Sequence, residues 1–472
     1  MKRPEPAQSP ARHEDDGLPV PQRYWAASAI WLAITMSVLD SAIANVALPT
    51  IAKQLHASAA LSIWIINAYQ LAITVLLLPL AALGDRIGYR RIYLPGLLLF
   101  IIGSLACALS HSLVGLIASR VFQGIGAAAV MSMNAALVRS IYPSALLGRG
   151  LGHNALVLSF SAAIGPTLAS IILSVASWPW LFAINLPIGL VALAVGLKAL
   201  PRTPGSGRAL DYPSAVLSAL TLALVVLGAE TLAREGARTG GPLLVVGIVC
   251  GMILFRREWR HPAPLVPLDL LRIPIFALSI ATSITSFAAQ MLAFVTLPFL
   301  LQTVLNRSVV ETGLLMTPWP LGVAFAAPIA GRLADRYPAG LLGGFGLGLF
   351  ATGLFALSML GEASSATDIA WRMALCGIGF GFFQSPNNRT MMSAAPLSRS
   401  GAAGGMLATA RLLGQTAGAV SVAAGFHWLG IASAPTLLLR AAAIAALVGA
   451  VTSLLRLGTP HIPAGQGALV IE

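Results

Sequence analysis

Fourteen mostly apolar stretches, separated by short polar segments, divide the chain. They run over about 25–48, 60–82, 92–110, 113–137, 151–175, 180–199, 213–231, 241–256, 275–301, 310–330, 340–360, 370–392, 402–428 and 436–456. About 20 apolar residues in helical form cross a bilayer, so each stretch predicts a transmembrane helix, the eighth being the shortest. The expected fold class is therefore an all-α integral membrane protein with fourteen spanning helices. The polar, Pro-rich start reads as a disordered cytoplasmic tail (1–24) with no signal-peptide pattern. A second cytoplasmic tail is expected at 458–472.

Composition agrees with the pattern. Of 472 residues, 57% are hydrophobic and 10% charged, against about 25% charged in soluble domains. The formal net charge of +13 does not point to nucleic acid, because the basic residues lie in short loops between apolar runs. They do set orientation. Twenty-one of the 29 Lys and Arg residues fall on the side of the N-terminus and six on the other. The positive-inside rule then puts both termini in the cytoplasm. Cys107, Cys250 and Cys376 lie in apolar runs without disulfide or metal-ligand spacing. His111, His153 and His427 are isolated. Gly124-x-Gly126 sits in a spanning helix, where no phosphate loop forms. No enzymatic activity, metal site or cofactor is expected.

Two basic residues remain inside the membrane, Arg120 and Arg411. A charge at that depth costs at least about 3 kcal/mol and marks a candidate functional position. Asp40 on helix 1 and Arg120 on helix 4 both fall roughly 10–12 Å below the outer surface at 1.5 Å per residue. They can therefore form a buried ion pair. Arg411 has no evident acidic partner; backbone carbonyls, a cavity or an anionic substrate group would each suit it. The other acids read as solvated, with Glu230, Glu311, Glu362 and Asp368 near outer helix ends and Asp211, Glu258 and Asp269 in cytoplasmic segments.

The chain also repeats itself. Leu83-Gly84-Asp85-Arg86 after helix 2 matches Leu333-Ala334-Asp335-Arg336 after helix 10. Two like halves are a common build for secondary transporters. The copies lie eight helices apart, so two helices are inserted between six-helix halves. The expected division is 25–200, an inserted pair with its loops at 201–272, and 273–457.

These motifs resemble the major facilitator superfamily, in particular its fourteen-helix drug:proton antiporter branch. The resemblance spans Trp25 to Arg456. Leu39-Asp40-Ser41-Ala42-Ile43-Ala44-Asn45-Val46-Ala47-Leu48-Pro49 matches the helix 1 signature. Leu83 to Arg91 matches the loop signature, with Ala81 in place of its leading Gly. Arg120, Gln123, Gly124, Gly126, Ala127 and Ala128 match the helix 4 signature. Gly152, Gly165 and Pro166 match the antiporter pattern of helix 5, with Ser161, Ala169 and Ser170 where Gly is usual. Trp180 to Gly189 and Arg411-Leu412-Leu413-Gly414-Gln415 match the patterns of helices 6 and 13.

The resemblance implies a multi-pass plasma-membrane protein, in a bacterium the inner membrane, active as a monomer. It would export lipophilic or cationic toxic compounds by alternating access, driven by a proton gradient. The gating-loop residues would be Gly84, Asp85, Arg86, Gly88, Arg90 and Arg91, with Asp335 and Arg336 as the lesser equivalent and Arg139 as a candidate partner of Asp85. Asp40 would carry the proton and Arg120 tune it; the plainer alternative is an ion pair that only fixes packing. Candidate cavity residues are Asn45, Asn67, Tyr69, Gln123, Gln290, Trp319, Gln384, Asn387 and Arg411, with Trp64, Phe287, Phe294 and Asn388 as further wall positions. Two rival functions are an exporter of a specific, even anionic, metabolite and a non-transporting membrane sensor.

Overall fold

The computed structural model describes residues 17–143, 146–203, 205, 211–259, 268–334, 336–395 and 400–458. Most of both tails and parts of the 201–272 segment lie outside these residues. Among the described residues every regular element is a helix. The first group comprises α1 (Gln22–Gln54), α2 (Ala59–Ser62), α3 (Trp64–Ile87), α4 (Tyr89–Ala108), α5 (Leu113–Ile141), α6 (Leu147–Val175), α7 (Pro179–Ala183) and α8 (Asn185–Ala199). Two helices follow, α9 (Tyr212–Glu235) and α10 (Ala237–Glu258). The last group comprises α11 (Pro274–Phe299), α12 (Val309–Met316), α13 (Pro318–Leu333), α14 (Ala339–Leu357), α15 (Ala366–Ala394) and α16 (Ser400–Leu455). α11 continues through a π-turn, and α16 is broken at Gly430, where φ is 72°.

Eleven helical segments among the described residues are long and apolar enough to cross a membrane. The other three expected runs are helical too: α6, α15 and the first arm of α16. Polar residues interrupt the last two, including Gln384 and Asn387 on α15 and Arg411 and Gln415 on α16, while Ile164–Val175 of α6 is a shorter apolar helix. These side chains point into the bundle, and their use there is what breaks the apolar pattern.

The ends follow local chemistry. Ser112, Ser308 and Ser365 cap α5, α12 and α15 by accepting from backbone amides, which satisfies donors that the first turn leaves open. Gly88, at φ 101°, turns α3 into α4 within one residue. Its φ lies where a side chain is strained.

Small residues let the helices touch. A Cβ on Gly126 of α5 would stand 2.4 Å from the Phe100 amide nitrogen and 2.6 Å from the Gly96 carbonyl oxygen on α4. The same geometry recurs at Gly379 of α15, with the same two distances to Phe350 and Gly346 of α14. Likewise Gly124 backs onto the Tyr69 carbonyl and Gly377 onto the Trp319 carbonyl. In membranes, such close approach is a main source of association because lipid supplies no hydrophobic drive between helices.

α9 and α10 pack chiefly on one another, with α9 also touching α3 and α16. Their pairing corrects two of the expected solvated acids: Glu230 and Glu258 are buried, at 1% and 2% exposure. At the start of α9, burial pushes the Asp211 carboxyl upward, but hydrogen bonds from Arg257 and Ser214 outweigh it and hold the group below the usual carboxylate value.

Candidate functional site

α1, α4, α5 and α8 meet around Asp40. The carboxylate is 1% exposed and Arg120 0%. Arg120 Nη1 donates to Asp40 Oδ2. Gln123 Nε2 donates to Oδ1 at 2.7 Å and Asn185 Nδ2 to the same oxygen at 2.9 Å. Ser104 Oγ accepts from both amides, at 2.8 and 3.4 Å. Arg120 also gives Nε to the Ile65 carbonyl at 2.9 Å and Nη1 to Gln123 Oε1 at 2.6 Å. Its guanidinium carbon lies 4.0 Å from the Tyr69 ring centroid and 5.6 Å from that of Phe182. Every partner is donor-to-acceptor matched, the condition under which a buried ion pair is tolerated. The expected common depth of Asp40 and Arg120 thus corresponds to direct contact. Ser104 and Asn185 were not singled out from sequence. Asn185 lies within the quoted Trp180–Gly189 pattern, and a lone amide in an apolar run was its available signal.

Beside this network, and separate from it, lies a cavity of ≈ 230 Å³. It is bounded by residues of α1, α3, α5, α6, α11, α13, α15 and α16. Asn45, Tyr69, Gln290, Trp319, Gln384 and Arg411 of the expected set line it, as do Phe287 and Phe294. Three expected cavity residues lie elsewhere. Gln123 is spent in the Asp40 network. Asn67 is fully enclosed on α3, and neither amide atom has a partner among the described residues. Asn387 belongs to a second buried cluster, where Arg456 Nη1 donates to Asn387 Oδ1 at 2.8 Å and to Ser279 Oγ at 3.1 Å. The charge count puts Arg456 with the cytoplasmic segments; the structure buries it, at 4% exposure.

Tyr69 links network and cavity, since it lines the cavity and carries Arg120 on its ring. The facing wall is aromatic. Trp319 packs edge-on against Phe294 and Phe350, and Phe287 against Phe380, with centroids 5.3–5.4 Å apart. Above Tyr69, Gln70 Nε2 donates to Gln415 Oε1 at 2.9 Å, joining α3 to α16.

The α3–α4 turn packs against the end of α8 and the start of α9. Arg90 donates to the Leu200 carbonyl at 2.8 Å and to the Leu197 carbonyl, at the C-terminus of α8. Cations suit that end of a helix. Tyr89 N donates to Thr203 Oγ1 at 2.8 Å, and Gly88 abuts the Thr203 carbonyl. Arg86 Nη1 reaches the Tyr212 hydroxyl at the start of α9, 2.5 Å away. Gly84 is buried against Met133, and Arg91 Nη1 donates to the Ile87 carbonyl at 3.5 Å. Asp85 is exposed next to Tyr89, and no ion pair joins it to Arg139 among the described residues. Arg336 is exposed, and Asp335 lies outside the described residues.

On α6, Gly165 lets the backbone reach Ala42 of α1, where a Cβ would come within 2.4 Å. Ser170 donates to the Pro166 carbonyl at 3.0 Å and to the Val309 carbonyl at 3.1 Å. Ser161 donates to Thr35 Oγ1 at 3.1 Å. The serines that replace glycine keep the close packing and add hydrogen bonds. Gly152 lies on α6.

A family model described as "Major Facilitator Superfamily" matches residues 30–419. The chain is 53% identical over 451 residues to an uncharacterized transporter, YebQ, of Escherichia coli (strain K12), covering 94% of this chain and 98% of that one. It is 30% identical over 394 residues to the riboflavin transporter RibZ of Clostridioides difficile (strain 630), covering 83% and 86%. It is 32% identical over 399 residues to the multidrug resistance protein Stp of Mycobacterium tuberculosis (strain CDC 1551 / Oshkosh), covering 83% and 73%. With that match and these relatives, the chain belongs to the Major Facilitator Superfamily, a family of multi-pass membrane transporters.

Proposed function

We propose that this transporter is a proton-coupled exporter of small lipophilic compounds, working by alternating access in a bacterial inner membrane with both termini in the cytoplasm. We read 25–200 and 273–457 as two six-helix halves with 201–272 as an inserted pair, fourteen spans in all. The recurrent glycine packing around Gly126 and Gly379 supports the halves. The mutual packing of α9 and α10 supports the insertion.

The observation that carries the reading is the Asp40 network. An ionisable carboxylate is sealed from water, yet Tyr69, on whose ring its partner Arg120 rests, also lines the neighbouring cavity. Both Asp40 oxygens accept from donors. A protonated carboxyl would set a new donor against one of them, so Gln123, Asn185 or Arg120 would have to turn away. Proton binding therefore favours a different packing of α1 against α5 and α8, and a ligand that displaces Tyr69 acts on the same contacts. That is the differential interaction a two-state exchange requires.

Alternating access draws support from where the cross-links lie. Gln302 Nε2 donates to the Val46 carbonyl at 3.0 Å, Ser170 to Val309, and Thr167 and Thr317 hydroxyls stand 2.6 Å apart. These bonds tie the first and last helix groups near the end where α1 and α6 finish.

The experiment is gradient-driven uptake in proteoliposomes, using naphthyl compounds of positive, zero and negative charge, wild type beside Asp40→Asn. Accumulation of at least one compound under an imposed pH gradient, lost in Asp40→Asn, is the expected result. If no compound moves in folded wild-type protein, the sensor reading replaces transport.

A further inference from the structure

Arg411 projects into the cavity from the first arm of α16. Unlike Arg120, it makes no hydrogen bond or ion pair among the described residues, and its Nε is buried without an acceptor. None of the described residues lining the cavity is acidic. Asp40, the nearby carboxylate, is enclosed and fully occupied by Arg120, Gln123 and Asn185. The field in the cavity is thus set by one uncompensated guanidinium.

Two further lining residues hold open polar atoms. Trp319 Nε1 is a buried donor and Asn45 Oδ1 a buried acceptor, neither with a partner. Buried polar groups are nearly always paired, so three such atoms around one cavity call for a common explanation. A ligand that brings an acceptor oxygen would pair the two donors, Arg411 Nε and Trp319 Nε1, while Asn45 Oδ1 would take a donor from another part of it. The aromatic wall of Phe287, Phe294, Trp319 and Phe380 suits a flat ring system in the same space. The volume lies just under the usual range for drug-sized pockets, about 300–1,000 Å³.

We infer that the cavity selects organic anions with a compact aromatic body, the acidic group bound by Arg411. A lipophilic cation would meet a like charge with no carboxylate to offset it, and its desolvation would go uncompensated. Asp40 need not exchange its partner for the ligand's charge, because the ligand brings its charge to a different arginine. The inference rests on the cavity being the transport site of the proposed exporter.

The test is equilibrium binding to the purified full-length protein by titration calorimetry, without a gradient. The probes share one ring system and differ in charge: naphthalene-2-sulfonate (negative), naphthalene-2-sulfonamide (neutral) and 2-naphthyltrimethylammonium (positive). Wild type is expected to bind the sulfonate tightest and the ammonium weakest. Arg411→Gln should weaken the sulfonate roughly ten- to a hundredfold, to the level of the sulfonamide, as loss of a charged hydrogen bond does. The same change should tighten the ammonium, and Arg411→Lys should keep part of the anion preference. The inference is overturned if the ammonium binds wild type as well as the sulfonate, if Arg411→Gln leaves the sulfonate unaffected, or if no probe binds. Should Arg411→Gln not fold, the wild-type ranking of the three probes decides. Binding and flux separate the two claims. Sulfonate bound through Arg411 but never driven by a pH gradient would sink the transport reading alone. Uphill movement of the ammonium and not the sulfonate would sink the charge assignment alone.

Discussion

Replacing Arg120 with leucine should be among the most damaging single changes in the first helix group. It would leave Asp40 charged and sealed, with only the Gln123 and Asn185 amides facing it, at 2.7 and 2.9 Å. Removing one member of a buried pair costs about 3–5 kcal/mol, mostly because the other charge is stranded. Asp40→Asn should cost less. Arg120 would keep the Ile65 carbonyl at 2.9 Å, Gln123 Oε1 at 2.6 Å and the Tyr69 ring at 4.0 Å. The ring contact alone is worth roughly 0.5–2 kcal/mol, so a cost of about 1–3 kcal/mol is expected, as for other buried groups that lose one charged partner. The double variant strands no charge. Its cost should fall short of the sum of the singles by about 2 kcal/mol. Denaturant midpoints in mixed micelles, at unchanged slope, measure all three. If the two single costs add to within about 0.5 kcal/mol, the pair is not coupled and the electrostatic account of this network is wrong.

Two packing changes test the rest of the architecture. Gly379→Val should destabilise the protein as much as Gly126→Val, because a Cβ at either meets backbone at 2.4 Å; thermal unfolding of the two variants that differed by more than a few degrees would contradict equivalent packing. Gly313→Ala would put a Cβ 1.6 Å from Ser170 Oγ and 2.4 Å from the Pro166 carbonyl. It should loosen that end of the bundle, so that a cysteine at Thr167 reacts at least several-fold faster with an impermeant maleimide applied from that side; an unchanged rate would refute the seal.

How far the sequence could be read depended on whether a signal was local. Run length announced the spanning helices, and depth along two helices was enough to bring Asp40 and Arg120 together. It could not bring in Ser104 or Asn185, since α4 and α8 join the site only by tertiary packing. Gln123 illustrates the opposite error. Its position three residues after Arg120 places it on the same helix face, so an amide that looked free for a substrate is used by the ion pair. Asn387 reads as a cavity residue when taken alone; Arg456, just past the end of α16, donates to it across the α15 packing. The Asp85 turn, for which Arg139 is the partner expected from sequence, is held by Arg86 against Tyr212 and by Arg90 against the end of α8. Nothing in its short motif encodes which neighbour it meets. Arg411 was legible as an anomaly, and only the cavity around it gave the anomaly a direction.

Asp40 as the proton carrier is tested most directly by counting protons. A substrate gradient would be imposed across proteoliposomes holding a lumenal pH dye, for whichever naphthyl probe the wild type moves. Wild type should show proton movement opposite to the substrate, in fixed ratio to it. Asp40→Asn, still folded and still binding the probe, should exchange substrate without moving protons. An unchanged proton-to-substrate ratio in Asp40→Asn would contradict the account and leave Asp40 and Arg120 as a structural pair.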